Sequence, residues 1–436
     1  MTEAFRRCVA AEVGQCERTR VHNGTSDMAR IGILMLWEWG HHMPTFNLAR
    51  QLSARGHDVT YFTIPALSEL VRSYGFGQQT ILSDVFGPCA EQVQRFPVRR
   101  VMGNRRRMLL KSLARGPLAN EVMAFRPDLL LLDQLLAGAI GTSLQRRGMP
   151  FVLLNTSLPN ERDRRLAPIT SALYPSRSIW SRLLIDGLWS AVFLRNWFRY
   201  IIRIDLAPIR PALRRSWTEL VLCGKQFDFP RPDRPNRYYI GPSVALQRPP
   251  QAFAFDRLPT HSRLVYCSLG TQAHRYKRRL ELLRRVASVA ARMSNVHFVV
   301  VADGAALERL KGLPTNITAV NTAPQLALLG RAAVAITHGG LGTIKECILS
   351  GVPMLVLPQA FDQHGNAARV EYHGLGLRAV HLPSVGRIHV LLEELLSRES
   401  YRKNVQRMSL VFEREQNDGR GASLVLQHLA RARLRK

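Results

Sequence analysis

Apolar runs of strand length recur along this chain, and amphipathic stretches of helix length separate them. The first run, ARIGILML at 29–36, stops at Trp37, Glu38, Trp39 and Gly40. A helix is predicted over 45–55, with Phe46, Leu48 and Leu52 on its apolar face. RGHDVTYFT then supplies a glycine turn and a strand over 59–63. PDLLLLD predicts a strand over 128–132, and 151–155 reads as the next core strand. The pattern restarts with a strand at 263–267, a helix over 281–293 and a strand over 297–302. Apolar runs that do not alternate belong to strands covered on both faces, which is the signature of parallel sheets. The expected class is α/β, with two Rossmann-like domains at 29–228 and 263–405. The expected remainder is a leader at 1–28, a link at 229–262 and helices at 406–436 packing back on the first domain. Four prolines between Pro230 and Pro242 predict a stiff, extended link.

The densest chemistry lies in THGGLGTIKECILSGVPMLVLPQAFDQHGN, residues 337–366. An apolar strand at 332–336 ends at His338, Gly339 and Gly340, a helix is predicted over 343–349, Gly351 stops it, and 353–357 is a second strand. Glycines at a strand-to-helix turn let backbone N–H groups approach a ligand, and the helix N-terminus behind them favours a phosphate. His338 is placed to donate to a phosphate oxygen, and Thr343 keeps a hydroxyl nearby. Glu346, one turn inside the helix, suits ribose hydroxyls, while Asp362 and Gln363 at the sheet's carboxyl edge suit the hydroxyls of a sugar. Gly270 and Thr271, after the strand at 263–267, form a second turn whose amides and hydroxyl can face a diphosphate.

Thr337, His338, Gly339, Gly340, Thr343, Glu346, Gly351, Val352, Pro353, Pro358, Asp362, Gln363, Asn366 and Ala367 together resemble the nucleotide-sugar signature of the family 1 glycosyltransferases, which have the GT-B fold. In that family the matching histidine and glycines hold the diphosphate, the glutamate the ribose, and the Asp-Gln pair the sugar. The turn GHHMP at 40–44, followed by a helix and RGHDV, resembles the family's opening, whose histidine is the catalytic base; that role falls on His41. Such a base removes the acceptor hydroxyl's proton and needs a carboxylate at its other nitrogen, for which Asp133 is the candidate. His42 as the base, and Asp133 as a mere helix cap, are the competing readings. The chain departs from the family at Gly342, where asparagine is usual, and at Thr322 in TAPQ, where a tryptophan usually stacks on uracil two residues before a Pro-Gln pair. The resemblance places Gln325 in the donor site and leaves uridine and thymidine diphosphate both open. It implies inverting transfer of a hexose to a small hydrophobic or lipid-like acceptor. The rivals are a nucleotide-sugar 2-epimerase and a non-catalytic membrane-associated protein of the same architecture.

Composition adjusts this picture in three places. The net charge is +29, and all but seven of the 61 basic residues are arginine, spread through helical stretches without a nucleic-acid module. An anionic membrane surface is therefore a better partner than nucleic acid. Cys8, Cys16, Cys89, Cys223, Cys267 and Cys347 have neither metal-site nor disulfide-framework spacing. No Asp-x-Asp and no GxGxxG occurs, so the expectation is no metal and no cofactor beyond the nucleotide-sugar co-substrate. Residues 1–27 lack a signal-peptide core, and no apolar run spans a bilayer, giving a cytoplasmic location with a peripheral position at the inner membrane face kept open. The segment 174–204 interleaves Trp180, Leu183, Leu184, Trp189, Phe193 and Trp197 with arginines; it suits a headgroup-level helix, a wall of the acceptor pocket or a packed hairpin. The basic stretch 95–115 is either an acceptor loop or a solvated face.

Overall fold

A computed structural model describes residues 28–86, 116–176, 178–201, 215–380 and 382–434. The expectations for 1–27, for 95–115 and for the side chains of 197–201 fall outside them. The first sheet contains β1 (Arg30–Leu34), β2 (Asp58–Thr63), β3 (Gly77–Thr80), β4 (Leu129–Asp133), β5 (Phe151–Asn155), β6 (Glu219–Val221) and β7 (Arg237–Tyr239). The second contains β8 (Arg263–Ser268), β9 (Val296–Val301), β10 (Ile317–Val320), β11 (Ala332–Thr337), β12 (Met354–Val356) and β13 (Gly376–Arg378). Every pairing is parallel. Both sheets are covered by helices, so β1 and β4 are buried almost throughout, as their unbroken apolar runs demand.

The strand orders are β3-β2-β1-β4-β5-β6-β7 and β10-β9-β8-β11-β12-β13. In each, the chain reverses its direction of growth at one seam: β1 beside β4, and β8 beside β11. Helices diverge from such a seam and leave a crevice at the carboxyl ends of its strands. His41 follows β1 and Asp133 ends β4; Gly270 follows β8 and His338 follows β11. The candidate chemistry of both halves therefore lies at the two seams.

Two expected boundaries differ from the structure. The stretch read as a link carries β7, whose main chain pairs with β6 from Glu219↔Arg237 to Val221↔Tyr239. The prolines that suggested an extended link flank this short outer strand, where an outer position needs ladder bonds on one side only. The break expected at 405/406 falls inside one helix, Glu399–Asn417, whose Val405 and Phe412 join the second domain's core. Its far end reaches the first domain: Asn47 donates to the Gln416 carbonyl, and the Gln416 side chain bonds both main-chain groups of Val244. The last helix, Arg420–Arg433, does cross back as expected, with Ala422, Val425 and Leu429 in the first domain's core. A buried cluster ties the halves together as well. Asp228 takes two bonds from the Arg369 guanidinium, at 2.9 and 2.8 Å, and one from the Tyr239 hydroxyl at 2.7 Å.

Candidate functional site

The first-domain half is built on the turn after β1. The short helix Trp39–His42 points two adjacent histidines in different directions. His42 is fully buried beside Tyr61, its Nδ1 donating to the Glu38 carbonyl at 3.2 Å, and burial pushes its pKa down to about 4. His41 faces the crevice. Its Nδ1 lies 2.7 Å from Asp133 Oδ2 and 3.0 Å from the Thr156 hydroxyl. Asp133 is fully buried, and two backbone amides hold it: Leu36 N–H on Oδ2 at 3.1 Å and Leu135 N–H on Oδ1 at 2.8 Å. Burial works against charge on both members of this pair. The carboxylate's attraction outweighs burial at His41, which is held above its ordinary 6.5, and the imidazolium and the two amides outweigh it at Asp133, which is held below the ordinary carboxylate value. Asp133 caps no helix: the π-helical turn Ala137–Gly141 begins four residues on, with Leu136 as its N-cap.

The second-domain half is a cradle with little room in it. The His338 ring lies between two glycine backbones. A Cβ on Gly270 would stand 2.4 Å from its Cε1, and one on Gly340 would stand 2.5 Å from its Nε2. Gly270 also has φ +76, a left-handed value suited to glycine. Burial pushes His338 down to about 4, against one Ser268 backbone hydrogen bond, so its imidazole is neutral near pH 7. Gly340 opens the helix Leu341–Leu349 without a side-chain cap, leaving the first-turn amides pointing at the space beside His338. Thr343 is half-buried in that turn, Thr271 is exposed on the opposing loop, and a Cβ on Gly342 would meet open space.

The remaining expected donor residues are engaged in bonds of their own. Glu346 is nearly buried; Arg248 Nη2 lies 2.5 Å from its Oε1, and the Gln325 amide donates to its Oε2. The Tyr266 hydroxyl in turn donates to Gln325 Oε1 at 2.8 Å. Gln363 is buried at 3%, its Oε1 accepting from the Gln359 and Ala360 amides at 2.8 and 2.9 Å while its Nε2 donates to the Tyr276 hydroxyl at 2.8 Å. Within the Asp-Gln pair, Gln363 thus shapes the loop, and Asp362, half-buried, immediately precedes the helix Gln363–Tyr372. Asp362 Oδ2 accepts from Asn366 at 3.0 Å, and burial raises its pKa.

The two halves meet here. Arg275, after β8, bonds Glu38, after β1, at 3.2 Å, and its guanidinium lies 5.3 Å from the Phe361 ring centroid. Phe361 has φ +56, a strained value for a bulky residue, and immediately precedes Asp362. Asp362 is near enough for its charge to add to those raising the His41 pKa. Sequence reasoning missed Thr156, Arg248, Arg275, Tyr276 and Phe361. Thr156 stands in the TSLP stretch after β5, a visible signal; Arg248 lies in the supposed link and carried none.

A protein-family model described as UDP-glucoronosyl and UDP-glucosyl transferase matches residues 184–416. A zeaxanthin glucosyltransferase of Pantoea ananas is 29% identical over 364 residues, 78% of this chain and 82% of the relative. Among solved structures, the glycotransferase of kitacinnamycin superposes with a TM-score of 0.67 at 24% identity, covering 92% of this chain and 99% of the other. A spinosyn rhamnosyltransferase complexed with thymidine diphosphate gives 0.60 at 20% identity, covering 88% and 96%. These likenesses identify the two facing parallel-sheet domains as the GT-B fold. With the family model spanning more than half of its length, the chain belongs to the UDP-glucoronosyl and UDP-glucosyl transferase family and is a glycosyltransferase.

Proposed function

We propose that the chain transfers a hexose from a nucleoside diphosphate sugar to a hydroxyl of a hydrophobic or lipid-like acceptor, with inversion and without a metal ion. The observation that carries this reading is the His41–Asp133 pair at 2.7 Å, set across the interdomain crevice from the glycine cradle and Asp362. In the single displacement, the acceptor oxygen bonds to the anomeric carbon as the bond to the diphosphate oxygen breaks. His41 Nε2 takes the acceptor proton, and Asp133 holds Nδ1–H and balances the imidazolium. The diphosphate leaves with its electron pair, and its charge is met by the first-turn amides of Leu341–Leu349 and by neutral His338.

Asp362 is assigned the sugar hydroxyls, and Gln363 positions the loop that carries it. Glu346 is assigned the ribose, which must share it with Arg248 and Gln325. The thymidine diphosphate complex of the spinosyn enzyme supports a nucleoside diphosphate leaving group, and the zeaxanthin enzyme supports a hydrophobic acceptor.

The test is a panel of UDP- and TDP-sugars with pooled hydrophobic alcohols, reading released nucleoside diphosphate and glycoside by mass. One donor is expected to turn over, and His41→Ala to lower its rate by about 10²–10⁴-fold at unchanged donor affinity. Undiminished transfer by His41→Ala would remove the mechanism.

A further inference from the structure

The helix Ile179–Ile201 has two unlike faces. On one, Ile185 and Trp189 are buried at 1% and 8%, and the Trp189 indole N–H donates to the Leu166 carbonyl at 2.9 Å. That bond fixes the helix's rotation about its axis. On the opposite side, Trp180, Leu183, Leu184, Gly187, Ala191 and Leu194 fall at helical spacing into one stripe. All are exposed, Trp180 at 77%, Leu183 at 61%, Leu184 at 53% and Leu194 at 64%. The stripe carries no charged residue. Contiguous apolar surface of this kind marks an interaction site.

The charges around the helix select the partner, and of them Arg195 adjoins the stripe. Arg182 and Arg195 are exposed on the helix itself. Arg162, Arg164 and Arg165 are exposed on the loop that ends at Leu166, the residue gripped by Trp189. Against them stand Asp186, paired with Arg162 at 3.0 Å, and Asp163, whose Oδ1 accepts the Arg165 and Leu166 amides. The local balance is basic, as is the whole chain at +29. An uncharged apolar stripe with Arg195 at its edge, on a protein of net charge +29, complements the boundary of an anionic bilayer. Trp and Leu enter the headgroup–acyl region there, and guanidinium groups meet lipid phosphates. No helix among the described residues is long and apolar enough to cross a membrane, so this one lies along the surface. We propose that the outward face of Ile179–Ile201 docks the protein on an anionic lipid surface. Binding is assayed without donor or acceptor, so its failure and failure of the transferase reading are separate results.

The probes are vesicles of equimolar phosphatidylglycerol and phosphatidylcholine, compared with vesicles of phosphatidylcholine alone, in a flotation assay with the full chain. The wild type is expected to partition at least tenfold more strongly onto the anionic vesicles at low salt, and to lose that preference as salt rises. Trp180→Ser combined with Leu184→Ser is expected to weaken partitioning by ~10-fold or more, since both side chains are largely exposed in the free protein. Its Tm should not change. Arg195→Gln should lower anionic binding while leaving the weaker neutral binding alone. Equal binding of the Trp180/Leu184 variant and wild type would overturn the proposal, because net charge alone would then explain adhesion. So would wild-type indifference to anionic lipid. A concentration-dependent dimer, seen by sizing and abolished by the same variant, would also overturn it by assigning the stripe to a second copy.

Discussion

Replacing Asp133 by asparagine removes one charge and one acceptor while keeping the shape, and the local bonds determine the outcome. Asp133 Oδ2 accepts from both His41 and Leu36 N–H, and Oδ1 accepts from Leu135 N–H. An asparagine has one acceptor oxygen and cannot serve both sides. With its oxygen toward His41 and Leu36, the amide NH2 opposes the Leu135 N–H, leaving that buried donor and the NH2 itself unpaired, at about 1–3 kcal/mol for each buried group. Flipped, it orphans Leu36 N–H and donates to His41 Nδ1, forcing the proton onto Nε2, where the base should be. The flipped orientation leaves fewer donors unpaired and should prevail, with the wrong tautomer imposed on His41 and the counter-charge lost. The expected result is a kcat lower by about 10²–10⁴-fold and a stability loss of ~1–3 kcal/mol by urea denaturation.

The pH profile carries the sharper sign. Asp133 is the main influence holding the His41 pKa above 6.5 against burial, and the base works only when neutral. Wild-type activity should therefore fall as pH drops through a value above 6.5. In the asparagine variant burial goes unopposed by that carboxylate, so the acid limb should move to lower pH even as the maximum falls. A limb that stays in place in Asp133→Asn would refute the pairing as the source of the basicity of His41.

Neighbouring geometry sets three further outcomes. Gly270→Ala places a methyl 2.4 Å from the His338 ring at φ +76; stability should fall by on the order of 2–4 kcal/mol and donor KM should rise, and a variant with wild-type melting and KM would sink the packing argument. Lys345 is buried with one bond, to the Leu222 carbonyl at 2.8 Å, and burial lowers its pKa to about 8. Between about pH 8 and the unfolded value near 10.4 the unfolded chain binds more protons, so this residue makes stability rise with pH. Wild-type minus Lys345→Met stability, by denaturant titration, should climb across that window, and a flat difference would contradict the assignment. Arg369→Met leaves the buried Asp228, which its cationic neighbours hold low despite burial, without its two-bond partner; the loss should be about 3–5 kcal/mol, and a change under 1 kcal/mol would show the pair to be dispensable.

The sheets were legible because buried parallel strands leave unbroken apolar runs, and both His41 and His338 could be placed at strand ends before any coordinates. The orientation of neighbours was not: His41 and His42 share a turn, and only packing against Tyr61 shows which one is buried. Gln363 read as a sugar contact because its type and position suit hydroxyls, yet the 359–360 loop amides and Tyr276 take up its side chain. Arg248 was invisible for a different reason. It lies in the segment between β7 and β8, and its pairing with Glu346 spans 98 residues, beyond any local pattern. The link itself misled because prolines bracket a three-residue strand too short to show a period.

The central claim is a single displacement with one base, His41, on the far side of the anomeric carbon from the diphosphate. The most direct test is the anomeric configuration of the product formed from an α-linked donor, read from the proton coupling of the new glycoside by NMR. One displacement predicts the β-glycoside. An α-glycoside would require a second displacement or front-face attack, and would contradict the role assigned to His41 and Asp133.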